Sequence, residues 1–206
     1  MALLKNIILD LGGVLLDIDY HRTKKAFEDL GFHEFDKMYS QYSADAVFTK
    51  LETGAISNPA FFETMMNRSG GHIPEQAISK AWNAMLLNFR EATLDFLIGL
   101  SKNYSLYLLS NTNAIHMAAF DRIFTAQTGK ASLDDYFTKA YYSHEVGLRK
   151  PNEDIFEFIL KDAGINASES LFVDDSYNNI ETASRLGFET HLLLPGEKVE
   201  TLQGFW

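Results

Sequence analysis

Four short stretches of this chain carry the side chains that could do chemistry. Asn6-Ile7-Ile8-Leu9-Asp10 is an apolar run that ends on a carboxylate, with Gly12 and Gly13 close behind. Tyr104 to Leu109 ends at Ser110-Asn111-Thr112-Asn113, and Leu171-Phe172-Val173 ends at Asp174-Asp175. Lys150 sits in Gly147-Leu148-Arg149-Lys150-Pro151. If Asp10, Asp174 and Asp175 meet, they repel one another and become costly to ionise, and a divalent cation removes that cost. Oxygen donors without cysteine or a local histidine pair suit Mg²⁺ better than zinc. Ser110 and Asn111 offer hydroxyl, amide and backbone N–H groups at a strand-to-helix junction, which suits phosphate oxygens. Lys150 could neutralise a nucleophilic carboxylate and a phosphate together. Arg149, on an extended segment, would point elsewhere. Each stretch alone also has a plainer reading: an Asp-Gly turn, a helix-start Asp pair, an N-cap run, a solvated basic turn.

What distinguishes the readings is whether the elements bring these groups together. Asn6–Leu9 is too short for a helix and reads as a buried strand, as do Tyr104–Leu109, Ala140–Tyr142, Leu171–Val173 and Thr190–Leu194. Helical patterns lie between them at Glu91–Leu100, Ile115–Ala126, Glu153–Ala163 (closed by Gly164) and Asn178–Leu186. Such alternation predicts an α/β fold, a doubly wound parallel sheet with helices on both faces. In that sheet the carboxyl ends of strands share one edge, where ligands bind. Three strands ending on Asp10, Ser110-Asn111 and Asp174-Asp175 would thus deliver residues a hundred positions apart to one place.

Residues 18–88 behave differently. Their apolar residues recur at helical spacing (Ala26, Phe27, Leu30; Phe61, Phe62, Met65, Met66; Ala77, Ile78, Ala81, Met85), and Ser57-Asn58-Pro59 looks like a helix start. No strand is expected in this block. The chain thus divides into an α/β core, residues 1–17 and 89–206, and an inserted helical module, residues 18–88. Phe61, Phe62 and Trp82 are read as that module's core.

The 206 residues have a formal net charge of −10, which disfavours nucleic acid and an anionic membrane surface. No apolar run approaches the roughly 20 residues that cross a bilayer, and no leader pattern precedes the first strand, so a cytoplasmic location is expected. The absence of cysteine excludes disulfides and thiolate metal sites. An anionic substrate would need a local cation to offset the global charge.

Taken together, Ile8-Leu9-Asp10-Leu11-Gly12-Gly13-Val14-Leu15, Leu108-Leu109-Ser110-Asn111-Thr112-Asn113, Arg149-Lys150-Pro151-Asn152 and Phe172-Val173-Asp174-Asp175-Ser176-Tyr177-Asn178-Asn179-Ile180 resemble the four motifs of the haloacid dehalogenase superfamily. They stand in the family's order and span nearly the whole chain, on the branch with a helical cap after the first motif. The resemblance implies a Mg²⁺-dependent hydrolase of a small phosphorylated metabolite. Asp10 would be a nucleophile forming an aspartyl-phosphate, and Ser110, Asn111 and Lys150 would hold the phosphoryl group. Asp175 and Asp10, with the Gly12 carbonyl, would bind the metal, with Asp174 as co-ligand or supporting acid. The helical module would be the lid, facing the site through Thr53-Gly54-Ala55-Ile56. Monomer and homodimer are both compatible with this.

One position departs from the family pattern. A second Asp usually stands two residues after the nucleophile as general acid and base, and here it is Gly12. Such groups typically contribute about 10²–10⁴-fold. Asp17, His21 and Arg22 are the nearby substitutes. A sugar 1-phosphate, whose leaving group needs little protonation, would tolerate the loss, and a branch including a bacterial glucose-1-phosphate phosphatase has a similar first motif followed by Asp-Ile-Asp, as in Asp17-Ile18-Asp19. The alternatives are a metal-independent 2-haloacid dehalogenase, which the double aspartate disfavours, and a non-catalytic binding or regulatory protein.

Overall fold

The computed structural model describes residues 3–33, 35–40 and 44–202. The chain begins with β1 (Asn6–Leu9), all of whose residues are buried, and turns through the two glycines into β2 (Leu16–Ile18). Five helices follow: α1 (Tyr20–Asp29), α2 (Phe35–Met38), α3 (Ala46–Glu52), α4 (Asn58–Arg68) and α5 (Glu75–Trp82). The chain returns through β3 (Leu86–Phe89) and then alternates: α6 (Glu91–Leu100), β4 (Ser105–Ser110), α7 (Ala114–Thr128), β5 (Lys139–Tyr142), α8 (Ser143–Val146), α9 (Glu153–Ala163), β6 (Ser170–Asp174), α10 (Tyr177–Arg185) and β7 (Glu189–Leu192).

The alternation yields the expected α/β architecture, a five-stranded parallel sheet in the order β5-β4-β1-β6-β7. Successive side chains of a strand point to opposite faces. Ile7, Leu9, Leu106, Leu108, Leu171 and Val173 accordingly join one apolar cluster, and Ile8, Tyr107, Leu109, Tyr141 and Phe172 the other. β1 lies between β4 and β6, with Leu9 paired to Leu108 and to Val173. The next residues, Asp10, Leu109 and Asp174, therefore emerge at one edge. Gly164 closes α9 in the left-handed region, and Ser57 caps α4 by accepting from the Ala60 N–H at 3.3 Å, as the sequence pattern indicates.

The helical insertion has its own aromatic core. Phe27, Phe35, Phe48, Phe61 and Trp82 are buried, and the Phe27 and Phe35 rings stack at 4.2 Å. At roughly 1.5–3 kcal/mol for each fully buried large apolar side chain, this cluster is the module's main source of cohesion. Ile115 of α7 joins it, and the Asn113 carboxamide that caps α7 also accepts from the Trp82 indole N–H at 3.4 Å. The module is thereby anchored to the sheet beside the Ser110-Asn111 junction.

The expectation of a strand-free block at 18–88 fails at both ends. β2 and β3 pair antiparallel, Leu16 with Phe89 and Ile18 with Leu86, forming a two-stranded stem between the insertion and the core. Each strand is too short to show a period, and their partnership spans about 70 residues of sequence, so local pattern could not reveal it.

Candidate active site

Lys150 is the centre of the site. Its side chain is 1% exposed, and its ammonium donates to Asp10 Oδ1 at 2.5 Å, Asp174 Oδ2 at 2.6 Å and the Leu109 carbonyl at 2.7 Å. All three donors of the ammonium are thus used. Asn111 fixes the backbone that carries it, accepting from the Lys150 N–H at 2.9 Å and donating to the Lys150 carbonyl at 2.8 Å. The attractions of Asp10 and Asp174 outweigh burial and push the lysine's pKa up, so the ammonium stays charged.

Asp174 is fully buried and does not line the cavity. Besides Lys150 it accepts from the Ser176 N–H at 2.8 Å and from the Asn179 amide at 2.9 and 3.0 Å. Both of its oxygens are therefore engaged in holding Lys150 and the start of α10. Asp10 and Asp175 do line the cavity, with Gly12, Asn111 and Lys150. Burial pushes Asp10 up to about 6 against the pull of Lys150, with Asp174 adding to the rise. Asp175 rises to about 7, again through burial first and then through Asp10 and Asp174. Two carboxylates that resist ionising side by side, with backbone oxygens nearby, form a donor set that suits a hard divalent cation. Among the described residues no three His, Cys, Asp or Glu side chains form a ready metal site, because Asp174 is committed elsewhere.

The two glycines have distinct roles. Gly13 lies at φ +80°, and a Cβ there would sit 2.4 Å from Asp175 Oδ2, so a side chain would displace the carboxylate. At Gly12 a Cβ would meet the Ile18 side chain, Cδ1 at 3.1 Å and Cγ2 at 3.8 Å. Ile18, an apolar side chain of the stem, would have to shift by a few tenths of an ångström to admit a side chain such as aspartate at position 12.

The proposed substitutes for that aspartate do not reach the cavity. Asp17 pairs with Arg90 and with Lys198 at 3.3 Å, while His21 and Arg22 are exposed. Tyr20, at the start of α1 between them, does line the cavity. Burial and the nearby Asp175 and Asp10 hold its phenol neutral. Ser110 is buried at the end of β4 and, unlike Asn111, is not part of the cavity lining.

The wall opposite the strand ends comes from the insertion: Tyr39, Ser40, Ala44 and Glu52. The expected loop Thr53–Ile56 is not part of it. A Cβ on Gly54 would lie 2.3 Å from the His144 carbonyl, so this loop packs onto α8, and the residue just before it, Glu52, faces the cavity. Arg149 also lines the cavity, contrary to the extended geometry expected for it. Residues 149–152 form a turn closed by the Asn152 N–H to the Arg149 carbonyl at 3.1 Å, and Arg149 Nη2 reaches Glu52 Oε2 at 2.9 Å. Glu52 had one detectable signal: a carboxylate ending a helix stands against the macrodipole, an unfavourable place without a partner.

The profile of the haloacid dehalogenase-like hydrolases matches residues 4–187. D-ribitol-5-phosphate phosphatase of Bacteroides thetaiotaomicron is 38% identical over 189 residues, 91% of each chain. A haloacid dehalogenase family enzyme of the same organism, crystallised with magnesium and inorganic phosphate, superposes with a TM-score of 0.87 at 34% identity, over 98% of this chain and 100% of that one. L-2-haloacid dehalogenase of Xanthobacter autotrophicus shares the fold, with a TM-score of 0.59 at 17% identity over 93% of this chain and 78% of that one.

Proposed function

This chain belongs to the haloacid dehalogenase-like hydrolases, and we propose that its reaction is the Mg²⁺-dependent hydrolysis of a small phosphate ester, a sugar or polyol phosphate, with Asp10 as nucleophile. The observation that carries this reading is the Lys150 ammonium held between Asp10 and Asp174, with Asp175 on the same cavity. The relative's substrate, ribitol 5-phosphate, is of the same class.

The residues divide the work as follows. Asp10 attacks phosphorus through the oxygen not taken by Lys150, the bond to the leaving oxygen breaks, and an aspartyl-phosphate forms. Water then attacks that phosphorus, releasing phosphate and restoring the carboxylate. Lys150 offsets the charge of the nucleophile, while Asp174 and Asn111 keep the lysine in place. Asp10, Asp175 and the Gly12 backbone would hold Mg²⁺, which supplies charge neutralisation for the phosphoryl oxygens and permits both carboxylates to ionise. The leaving oxygen takes its proton from water or from a neutral donor such as the Tyr20 phenol, since position 12 has none. The helical insertion closes the opposite side and excludes solvent, the role of a lid.

The test is phosphate release from a panel of phosphate esters with Mg²⁺ and with EDTA. Turnover that needs Mg²⁺ and is lost in a folded Asp10→Asn variant is expected. Halide release from 2-haloacids without metal would replace this reading with dehalogenation. No Asp10-dependent turnover on either panel would make the chain a binding protein.

A further inference from the structure

Beside the phosphoryl site the cavity has a second polar wall that the reaction itself does not require. Glu52 ends α3, and its side chain is 4% exposed. Its Oε1 accepts from the Tyr39 hydroxyl at 3.1 Å, and its Oε2 faces Arg149 Nη2 at 2.9 Å. Arg149 Nε is buried without a hydrogen-bond partner. Glu52, Arg149 and Tyr39 line the same cavity, of about 180 Å³, as Asp10 and Lys150.

We propose that Glu52 and Arg149 are the specificity determinants of this site, and that they bind uncharged hydroxyl groups on the carbon chain of the leaving group. The inference rests on the phosphatase reading and narrows it to hydroxyl-rich, otherwise neutral phosphate esters. Three features lead there. Arg149 precedes Lys150 directly, and Asn111 holds the Lys150 backbone at both its N–H and its carbonyl, so the second wall is tied to the phosphoryl site. The pair is neutral as a unit. A carboxylate on the substrate would compete with Glu52 for the guanidinium, and a cation would compete with Arg149 for the carboxylate. A hydroxyl can donate to one and accept from the other at once. Finally, the buried Arg149 Nε–H has no acceptor, a cost of roughly 1–3 kcal/mol that a substrate hydroxyl oxygen would relieve. A site built to hydrogen-bond hydroxyls rejects analogues that lack them.

The experiment measures kcat and KM, at saturating Mg²⁺, on three esters of equal chain length: a polyol phosphate, a plain alkyl phosphate and a phosphate ester with a terminal carboxylate. The wild-type protein should prefer the polyol over the alkyl ester by at least about 10²-fold in kcat/KM. In Glu52→Gln that ratio should shrink about tenfold or more, mainly through KM, the loss expected for one charge-assisted hydrogen bond. Its carboxylate ester should rise relative to the polyol, because Arg149 is then unopposed. Where Glu52→Gln does not fold, Tyr39→Phe preserves the ion pair and should shrink the polyol-to-alkyl ratio about three- to tenfold. A drop in proportion on all three esters, or unchanged ratios, would overturn the assignment and leave the phosphatase intact. Hydrolysis of none of the three by the wild-type protein would fail the phosphatase reading itself.

Discussion

Arg149 and Lys150 are adjacent cations on one turn, yet they serve opposite walls of one cavity. Lys150 is saturated, with three donors and three acceptors, two of them carboxylates that belong to β-strand ends. Arg149 meets one carboxylate from the insertion and keeps a buried N–H unpartnered. Burial first, and then the repulsion of neighbouring carboxylates, raises Asp10 to about 6 and Asp175 to about 7, so the first wall favours a cation and, through it, a phosphate. The second wall is balanced and favours neutral, hydrogen-bonding groups. One turn therefore couples the general chemistry of the family to whatever selects the substrate.

The comparison can be broken most forcefully by neutralising each cation in turn. Lys150→Met leaves Asp10 and Asp174 facing each other in a buried place and is expected to cost about 3–5 kcal/mol. It should also abolish turnover of every ester, which denaturant unfolding and phosphate release would show together. Arg149→Met leaves Glu52 able to take up a proton, since burial already raises its pKa. A smaller loss, about 1–3 kcal/mol, is expected there, with turnover biased against polyol esters rather than abolished.

The electrostatics of the first wall yields a pH prediction. Without a cation the folded state holds protons on Asp10 and Asp175 that the unfolded chain releases near 3.8. The stability from these protons is fully present below that value and lost as pH rises through about 6 to 7. In EDTA, the Tm should therefore fall from pH 5 to pH 8, by roughly 2–4 °C for each kcal/mol lost. Mg²⁺ binds the deprotonated pair, so its affinity should rise over that range and its stabilisation should be larger at pH 8 than at pH 5. Equal stabilisation by Mg²⁺ at both values would show that the two carboxylates are not its ligands.

A smaller effect tests the missing acid. Gly12→Asp alone should gain little, because the new side chain meets Ile18. Paired with Ile18→Ala it should speed hydrolysis of alkyl phosphates by about 10²-fold, the lower end of a general acid's contribution. The smallest effect belongs to Asp17→Asn, which touches only the Arg90 and Lys198 contacts at the stem. It should cost under about 1 kcal/mol and leave the pH–rate profile in place.

The first wall was legible in the amino-acid order because strand ends in a parallel sheet must share an edge. Asp10, Asn111 and Asp175 were readable as a group for that reason, and Lys150 joined them by its motif. Asp174 is buried behind the lysine because Ser176 and Asn179, two and five residues on, take its oxygens, a division between adjacent aspartates that strand pattern does not specify. The second wall was not legible. Tyr39 directly follows the short α2 and Glu52 ends the short α3, elements whose placement depends on the aromatic core, and Arg149 depends on a turn where an extended segment was expected. The stem of β2 and β3 escaped notice for a similar reason: its pairing is remote and each strand is brief.

The central claim is that Asp10 attacks phosphorus. Rapid acid quenching during turnover of a polyol phosphate with Mg²⁺, followed by peptide mass analysis, tests it most directly. A hydroxylamine-labile phosphoryl group on Asp10 is expected, formed no more slowly than phosphate is released and absent in Asp10→Asn. Phosphate release that persists in Asp10→Asn at a rate close to that of the wild-type protein, with no phosphoryl group on the chain, would contradict it.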